Sequence, residues 1–200
     1  MAAAACPGGR SYQVCKRLLD LLGATLGAVV LSPLFALVAA AIRLESAGPA
    51  IYRQVRVGAH GKLFTIYKFR TMKIDTPVLS TEEMQKQGYD PYTRLGRLLR
   101  RISLDELPQL WNVFKGEMSF IGPRPALPSQ ADVLALREEA GVTPALPGIT
   151  GLAQVRGRDN LDNPTKVACD AEYCRHLSFL EDLKIFCLTF SALFSARGNK

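Results

Sequence analysis

The sequence predicts a mainly helical α+β fold with one small β-hairpin and an apolar N-terminal segment suited to a membrane. Three observations predict it. Residues 21–42 carry no charge, two β-prone runs flank residues 58–61, and leucines recur at helical spacing in residues 94–101. With 200 residues, the chain is long enough for one domain with its own core.

The uncharged segment allows three interpretations. A cleaved signal peptide would use Lys16 and Arg17 as its basic end and residues 39–41 as its cleavage site. However, the apolar stretch is too long for a signal core, and Arg43 follows at once. A straight transmembrane helix is the second interpretation, because a helix of this length would span about 33 Å.

Ser32 and Pro33, in the middle of this segment, favour the third interpretation, a re-entrant helix-break-helix. Proline removes a backbone donor and clashes with the preceding turn, and the Ser32 hydroxyl can bond the carbonyl that the proline frees. Basic residues flank both ends of the segment, which places both ends on one side of a membrane. Periodicity alone favours the straight and the re-entrant forms equally.

Ile51–Val57 and Leu63–Phe69 are predicted to pair as a β-hairpin. A lone hairpin is only marginally stable in water, so this one must pack on other elements. Lys68 and Arg70 share a face if the second strand continues; a solvated basic edge is the alternative. Residues 73–90 are polar and are expected to form an exposed loop.

Arg94–Arg101 is predicted to form a basic amphipathic helix, because its apolar residues follow helical spacing. These residues are Leu95, Leu98, Leu99 and Ile102. An anionic membrane surface, a nucleic-acid face and an ordinary surface helix are all compatible with the pattern.

Asp105 and Glu106 are adjacent acids at the start of the next predicted helix. Ser103 with Glu106 three residues later matches a capping box, and Gly116 follows the apolar run as a helix stop. Acids in a first turn commonly only stabilise the helix. Adjacent helical positions point about 100° apart, so the two carboxylates are expected to have different tasks.

Two rigid basic stretches follow. Pro123 and Pro125 fix the backbone on either side of Arg124, an arrangement that suits a guanidinium aimed at a phosphate. Residues 147–151 and 154–158, with the sequences PGITG and QVRGR, form the second stretch.

Composition bears on disulfides, metal sites and the kind of binding partner. The five cysteines are odd in number and irregularly spaced, which argues against a disulfide framework. Cys169 and Cys174 have no second cysteine pair and the chain has two histidines, so reduced thiols are expected instead of a metal site. The net charge of +7 suits nucleic acid, anionic lipid or phosphorylated molecules without choosing among them.

In these motifs the chain resembles the monotopic phosphoglycosyl transferases, also called bacterial sugar transferases. The resemblance runs from about Lys16 to about Thr189. Its motifs are Lys16-Arg17 with Asp20, Ser32-Pro33, and residues 67–72, 103–110, 118–125, 147–155 and 182–185.

The resemblance implies transfer of a sugar-1-phosphate from a UDP-sugar to polyprenyl (undecaprenyl) phosphate. Asp105 would be the catalytic nucleophile that releases UMP and forms an aspartyl phosphosugar, and Glu106 would be a catalytic Mg²⁺ ligand. Four basic residues would hold phosphates: Lys68, Arg70, Arg100 and Arg124.

The resemblance also favours the re-entrant form and a monotopic location on the cytoplasmic face of a bacterial inner membrane. The implied organisation is a flexible N-terminus (1–12), a re-entrant membrane helix (13–45) and a membrane-associated catalytic domain (46–200). Residues 176–194 would form another interfacial helix or pack onto the domain. Membrane lipid is an expected partner and nucleic acid is not, whereas a homo-oligomer stays an open alternative.

Leu146 departs from the family pattern, which commonly has arginine before PGITG; Arg156 or Arg158 would then substitute. Glu172 and Cys174 stand where aromatic residues are expected beside Tyr173, which leaves the role of Asp170 open. The rival hypothesis is a non-catalytic, membrane-anchored protein whose basic face binds nucleic acid or lipid.

Overall fold

The computed structural model describes residues 9–74, 76, 90–157 and 160–194. The helices are α1 Arg10–Val30, α2 Ser32–Glu45, α3 Arg94–Arg101, α4 Leu110–Lys115, α5 Ala131–Glu139, α6 Leu152–Arg156, α7 Asn163–Arg175 and α8 Phe179–Phe194, with a 3₁₀ helix at Leu104–Gln109. The strands are β1 Ile51–Val57, β2 Leu63–Phe69, β3 Ser119–Ile121 and β4 Gly148–Thr150. A mainly helical α+β fold with one antiparallel hairpin is therefore confirmed.

Helices α1 and α2 meet at Leu31 with a bend of 60°. Pro33 has no N–H to offer the carbonyl of Val29, and the Ser32 hydroxyl donates a 2.8 Å hydrogen bond to that oxygen instead. The predicted break and its repair by Ser32 are confirmed. No single helix in the described ranges is long and apolar enough to cross a membrane, whereas the bent pair meets that test by length and composition.

Helix α1 begins at Arg10, earlier than the expected boundary at residue 13. Its first turns are tied to α8, since Tyr12 Oη and Lys16 Nζ reach Asp182 Oδ2 at 2.7 and 3.0 Å. These contacts explain why residues 10–12 are helical instead of flexible. Residues 1–8 of the expected flexible segment lie outside the described part of the chain, as do residues 75 and 77–89 of the expected loop.

The charged residues of α1 face the rest of the protein. Arg17 donates to the carbonyls of Val113 and Phe114 at the end of α4, at 2.6 and 2.8 Å. Buried Asp20 accepts a bond from the backbone N–H of Phe120. The leucines on the other face of α1 are exposed, so this helix presents an apolar surface outward.

The hairpin register runs from Ile51 opposite Phe69 to Val57 opposite Leu63, as the sequence predicted. Buried Asn112 of α4 holds β2 in place, because its Nδ2 donates to Thr65 O at 2.6 Å and its Oδ1 accepts from Tyr67 N at 3.2 Å. The hairpin thus packs on α4 and on the 3₁₀ helix, as a marginally stable hairpin requires.

The predicted capping box at Ser103 is wrong. Ser103 adopts a left-handed conformation with φ 58°, makes no side-chain cap bond, and leads into a 3₁₀ helix instead of an α-helix. Pro108 lacks the N–H that an α-helix starting at residue 104 would need. The α-helix begins only at Leu110, and it ends at Gly116 with φ 84°, which confirms the predicted stop.

Strands β3 and β4 form a parallel pair that the sequence did not predict. Close backbone contact joins the two segments, since a Cβ atom on Gly151 would lie 2.1 Å from the carbonyl oxygen of Gly122. Only glycine allows this approach. The Arg124 loop and α6 are thereby held side by side.

Helix α8 is confirmed, but most of its predicted apolar face is not packed onto the domain. Ile185 is fully buried, whereas Leu180, Leu183 and Phe186 are exposed. In α3, Leu99 is buried while Leu98 and Ile102 are about half exposed. Both helices therefore also leave apolar side chains exposed.

Candidate active site

A cavity of about 240 Å³ opens between the hairpin, the 3₁₀ helix, the Arg124 loop and helices α5 to α7. Five of the predicted site residues line it: Lys68, Arg100, Asp105, Glu106 and Arg124. Both acids face this one cavity. Three residues per turn of this 3₁₀ helix set neighbouring side chains about 120° apart, so the two carboxylates reach the cavity from different directions.

Glu106 is the centre of a charge cluster. Its Oε1 accepts hydrogen bonds from Lys68 Nζ at 2.8 Å and from Arg124 Nη2 at 3.1 Å. Burial alone would raise the pKa of Glu106, but the positive charges of Arg124 and Lys68 outweigh it and hold that pKa well below its usual range. The carboxylate is therefore ionised at all physiological pH values.

For Lys68, the effect of burial on the pKa outweighs the effect of the neighbouring opposite charge. Burial lowers the pKa of its ammonium group, against the opposing effect of the Glu106 carboxylate. Its side chain is only 16% exposed, so the ammonium has few routes to water. The end of β2 thus supplies one desolvated cation to the cavity.

Asp105 is 7% exposed. Burial, followed by the neighbouring charge of Glu106, raises the pKa of the Asp105 carboxyl above its ordinary value. A raised pKa makes the ionised carboxylate more basic and a stronger nucleophile than a solvated aspartate. Lys68, Arg100 and Arg124 are close enough to oppose this shift, and would also attract a phosphate to Asp105.

Arg70 does not line this cavity. Its guanidinium donates to the carbonyls of Ser46 and Ala47, at 2.8 and 2.6 Å, and to the Ser46 hydroxyl. Strand β2 ends at Phe69, so the alternation that placed Arg70 on the face of Lys68 does not continue. In this structure Arg70 secures the chain after α2, and its predicted phosphate contact has no geometric support.

Arg137 was not singled out in the sequence, although it positions the Arg124 loop. Its Nη2 donates to the Arg124 carbonyl at 2.8 Å and to Asp170 Oδ2 at 2.7 Å. Asp170 is almost fully buried, and burial raises its pKa against the effect of Arg137. Asp170 thus acts through Arg137 on Arg124. No periodic pattern links three residues so far apart in sequence.

Arg56 is a second cavity residue that the sequence left unassigned. It donates to the carbonyl of Pro125 at 3.0 Å, and two of its nitrogens bond Gln54 Oε1 at 3.1 and 2.7 Å. Burial, with the nearby charge of Arg124, lowers its pKa to about 10. The only sequence signal for Arg56 was its position in the predicted strand β1.

Arg156, one of the two candidates to substitute for the arginine expected at Leu146, does not line this cavity. It forms a two-pronged ion pair with Glu172, at 2.5 and 2.6 Å, on an exposed surface. Arg158 lies outside the described residues. The unusual Glu172 therefore has a local partner, and neighbouring Asp170 faces the cavity independently of it.

The carboxylates of the cavity suit magnesium better than zinc. Within the described ranges, no group of three or more His, Cys, Asp or Glu side chains converges on a point. Magnesium needs only one or two carboxylates, because substrate phosphates and water complete its shell. The bonds from Lys68 and Arg124 both end on Oε1 of Glu106.

A second, apolar cavity of about 380 Å³ lies on the opposite side of β2 and the 3₁₀ helix. It occupies the angle of the bent helix pair, and its aromatic lining comprises Phe35, Tyr67, Trp111 and Phe114. Tyr67 precedes Lys68 on β2, and Pro108 of the same lining follows Glu106 by two residues. Two shared elements thus separate the polar and apolar cavities.

Comparison with known proteins gives a consistent assignment. The chain is 42% identical over 198 residues to the UDP-glucose:undecaprenyl-phosphate glucose-1-phosphate transferase of Caulobacter vibrioides, covering 94% of this chain and 74% of that protein. It is 40% identical to the uncharacterized sugar transferase EpsL of Bacillus subtilis, covering 92% and 90%. It is 35% identical to the undecaprenyl-phosphate galactose phosphotransferase of Salmonella typhimurium, covering 94% of this chain and 42% of that protein.

The family model for bacterial sugar transferases matches residues 11–196. This range contains both cavities and the described residues from position 11 of α1 to the end of α8. The resemblance predicted from the motifs is confirmed, and so is the expectation of an enzyme. The chain belongs to the bacterial sugar transferase family.

Proposed function

We propose that this protein transfers a sugar-1-phosphate from a UDP-sugar to polyprenyl phosphate, with Asp105 as the covalent nucleophile. One observation carries the proposal: a buried aspartate with a raised pKa shares a cavity with the cationic side chains of Lys68, Arg100 and Arg124. Relatives named for glucose and galactose phosphate transfer to undecaprenyl phosphate support the donor and acceptor classes.

In the first step, an Asp105 carboxylate oxygen attacks the β-phosphorus of the UDP-sugar. The bond between that phosphorus and the bridging oxygen breaks, and UMP leaves with the electron pair. An aspartyl phosphosugar remains on the protein. The attacking carboxylate is already anionic, so this step needs no proton acceptor.

In the second step, a phosphate oxygen of polyprenyl phosphate attacks the same phosphorus. The bond from Asp105 to phosphorus breaks, which regenerates the free carboxylate and gives polyprenyl diphosphosugar. This nucleophile is also anionic. The proposed chemistry therefore uses no histidine base.

The cations hold and neutralise the phosphates. Phosphoryl transfer depends mainly on positioning and on charge stabilisation of the non-bridging oxygens. Lys68, Arg100 and Arg124 line the cavity and carry that charge. Glu106 would hold Mg²⁺, and when bound the ion would supply further positive charge to the diphosphate.

The apolar cavity suits the lipid acceptor. An isoprenoid chain in the angle between α1 and α2 would meet Phe35, Trp111 and Phe114 while its phosphate reached the polar side of β2. The exposed leucines of α1 and α8 would contact membrane lipid. With α1 and α2 as a re-entrant pair, the enzyme would sit on the cytoplasmic face of the bacterial inner membrane, where UDP-sugars are available.

UMP release tests the proposal. Purified protein would be mixed with Mg²⁺, undecaprenyl phosphate and a panel of UDP-sugars, beside the variant Asp105→Asn. We expect UMP from at least one sugar and none from the variant. The rival hypothesis of a non-catalytic binding protein predicts no UMP from any sugar. It also predicts binding that weakens steeply with salt and survives Asp105→Asn.

A further inference from the structure

Gln154 is a buried cavity residue with no role in the chemistry above. It lies on α6, is 8% exposed, and lines the same cavity as Asp105. Among the described residues, neither its Oε1 nor its Nε2 has a hydrogen-bond partner. An unpaired buried polar atom is unfavourable, so a complete carboxamide in this state needs an explanation.

The backbone around Gln154 holds its carboxamide in place. A Cβ atom on Gly151 would lie 2.9 Å from Gln154 Oε1, so that oxygen packs over a residue without a side chain. The same glycine lies against Gly122, which precedes the Arg124 loop. The carboxamide is therefore held at the wall from which Arg124 also reaches the cavity.

Arg137 adds a second unpaired donor at this end of the cavity. Its Nε is buried without a partner among the described residues, while its Nη2 is bonded to Asp170 and Arg124 O. Helices α5 and α6, which carry Arg137 and Gln154, both pack against α7. This end of the cavity thus has one buried acceptor and two buried donors without partners among the described residues.

We infer that the Gln154 carboxamide binds the uracil base of the sugar donor. This inference rests on the proposed function. A primary carboxamide presents N–H and C=O side by side in one plane, and by rotation can present them in either order. It pairs through two parallel hydrogen bonds with a ring that has N–H and C=O on the same side, as uracil has at N3 and C4.

The other parts of the donor do not offer that match. The diphosphate carries acceptors only, and the cationic side chains already face it. A sugar acetamido group holds its N–H and C=O on opposite sides, so one carboxamide cannot engage both. The ribose and sugar hydroxyls also donate and accept, but they rotate freely, whereas the base holds its donor and acceptor side by side in one rigid plane like that of the carboxamide.

Binding of UMP, which has no sugar, is the direct test. By titration calorimetry in detergent, Gln154→Met should weaken UMP binding roughly tenfold relative to wild type, because two hydrogen bonds to the base are lost. N3-methyl-UMP removes the same bond from the ligand side and should bind wild type comparably weakly. It should bind Gln154→Met no worse than UMP does.

The variant is expected to fold. Methionine has nearly the same shape and removes two unpaired polar atoms, so its midpoint of thermal unfolding should equal or exceed that of wild type. If the variant unfolds earlier, the comparison of UMP with N3-methyl-UMP on wild type decides the question alone. Equal affinities there would overturn the inference.

Other results separate this inference from the proposed function. If UMP binds Gln154→Met as tightly as wild type while UMP release still requires Asp105, the base contact is wrong and the function stands. If only the intact UDP-sugar binds more weakly, Gln154 contacts the sugar and the inference fails. If wild type binds no UMP, both the base contact and the donor class are contradicted.

Discussion

The Lys68 ammonium donates a 2.8 Å hydrogen bond to Oε1 of Glu106, and both side chains are 16% exposed. Lys68 lies at the end of the hairpin, and Glu106 lies in the 3₁₀ helix beside the proposed nucleophile. This ion pair joins two segments that are distant in sequence. The Glu106 charge contributes to the raised pKa of Asp105, whereas the Lys68 charge opposes that shift.

Lys68→Met should lower the free energy of unfolding by about 1.5–3 kcal/mol, because Glu106 loses a charged hydrogen bond in a partly buried site. Chemical unfolding in detergent measures this. Lys184→Met is the matched control, since Lys184 pairs with Glu181 on an exposed surface and should change stability by less than about 0.5 kcal/mol. Equal losses in both variants would contradict a structural role for the Lys68 pair.

Asp105→Asn should abolish turnover and stabilise the fold at neutral pH. Burial raises the pKa of Asp105 in the folded state, so its ionised form is disfavoured there and asparagine removes that cost. Ser103 does not form a capping box, so no helix cap is lost. A lower midpoint of thermal unfolding for the variant would show that the carboxylate is not strained by burial.

The same pKa shift sets a pH dependence. A group with a raised folded-state pKa stabilises the fold below its unfolded pKa and loses that contribution as the pH rises through the folded pKa. The stability gap between Asp105→Asn and wild type should therefore be small in acid and widen toward neutral pH. Thermal unfolding across pH measures it, and a constant gap would contradict the shift.

Turnover should also fall in acid, because protonation of Asp105 removes the nucleophile. The acidic limb of kcat/KM for the donor in the first half-reaction should lie above the ordinary aspartate pKa, because kcat/KM reports groups of the free enzyme. UMP release without acceptor, followed from acid to neutral pH, measures this limb. A limb at the pKa of a solvated aspartate would indicate that Asp105 is not the titrating nucleophile.

Asp170→Asn should reduce kcat/KM for the donor about tenfold, because Arg137 loses the carboxylate that orients it toward the Arg124 carbonyl. Glu172→Gln is the control on the same helix, since it breaks an exposed ion pair with Arg156 and should leave activity unchanged. If Asp170 positions Arg124, the loss should appear mainly in donor KM. A loss confined to thermal stability would instead assign Asp170 a purely structural role.

The proposed re-entrant arrangement of α1 and α2 makes a topological prediction. Native Cys15 and an engineered cysteine at Arg43, in a background without other cysteines, should both react with an impermeable thiol reagent from the cytoplasmic side. Pro33→Ala restores a backbone donor to Val29 and should shift part of the population toward a straight span. Labelling of the two cysteines from opposite sides in the parent would contradict the re-entrant form.

Local signals predicted much of the fold. The hairpin, the break at Pro33, helix α3 and the stop at Gly116 each depend on residues close together in sequence, and each is confirmed. The prediction of a capped α-helix at the 3₁₀ helix was wrong. It relied on the capping-box spacing of Ser103 and Glu106 and did not take account of Pro108. Strands β3 and β4 were missed because three-residue strands carry no periodicity.

The sequence predicted most of the site residues that lie in family motifs. Lys68, Arg100, Asp105, Glu106 and Arg124 meet in one cavity, as the family resemblance implied. Arg70 does not line the cavity. Strand β2 ends before it, and its guanidinium donates to the carbonyls of Ser46 and Ala47. Arg56, Arg137 and Gln154 could not be assigned, because their significance comes from burial and from partners that only the folded chain brings together.

Intact mass spectrometry of the protein with UDP-sugar and Mg²⁺, in the absence of acceptor lipid, tests the central claim most directly. We predict a mass increase of one phosphosugar that maps to Asp105, is absent in Asp105→Asn, and disappears when undecaprenyl phosphate is added. UMP release that depends on acceptor lipid without any adduct, or an adduct that persists in Asp105→Asn, would contradict the covalent mechanism proposed for this enzyme.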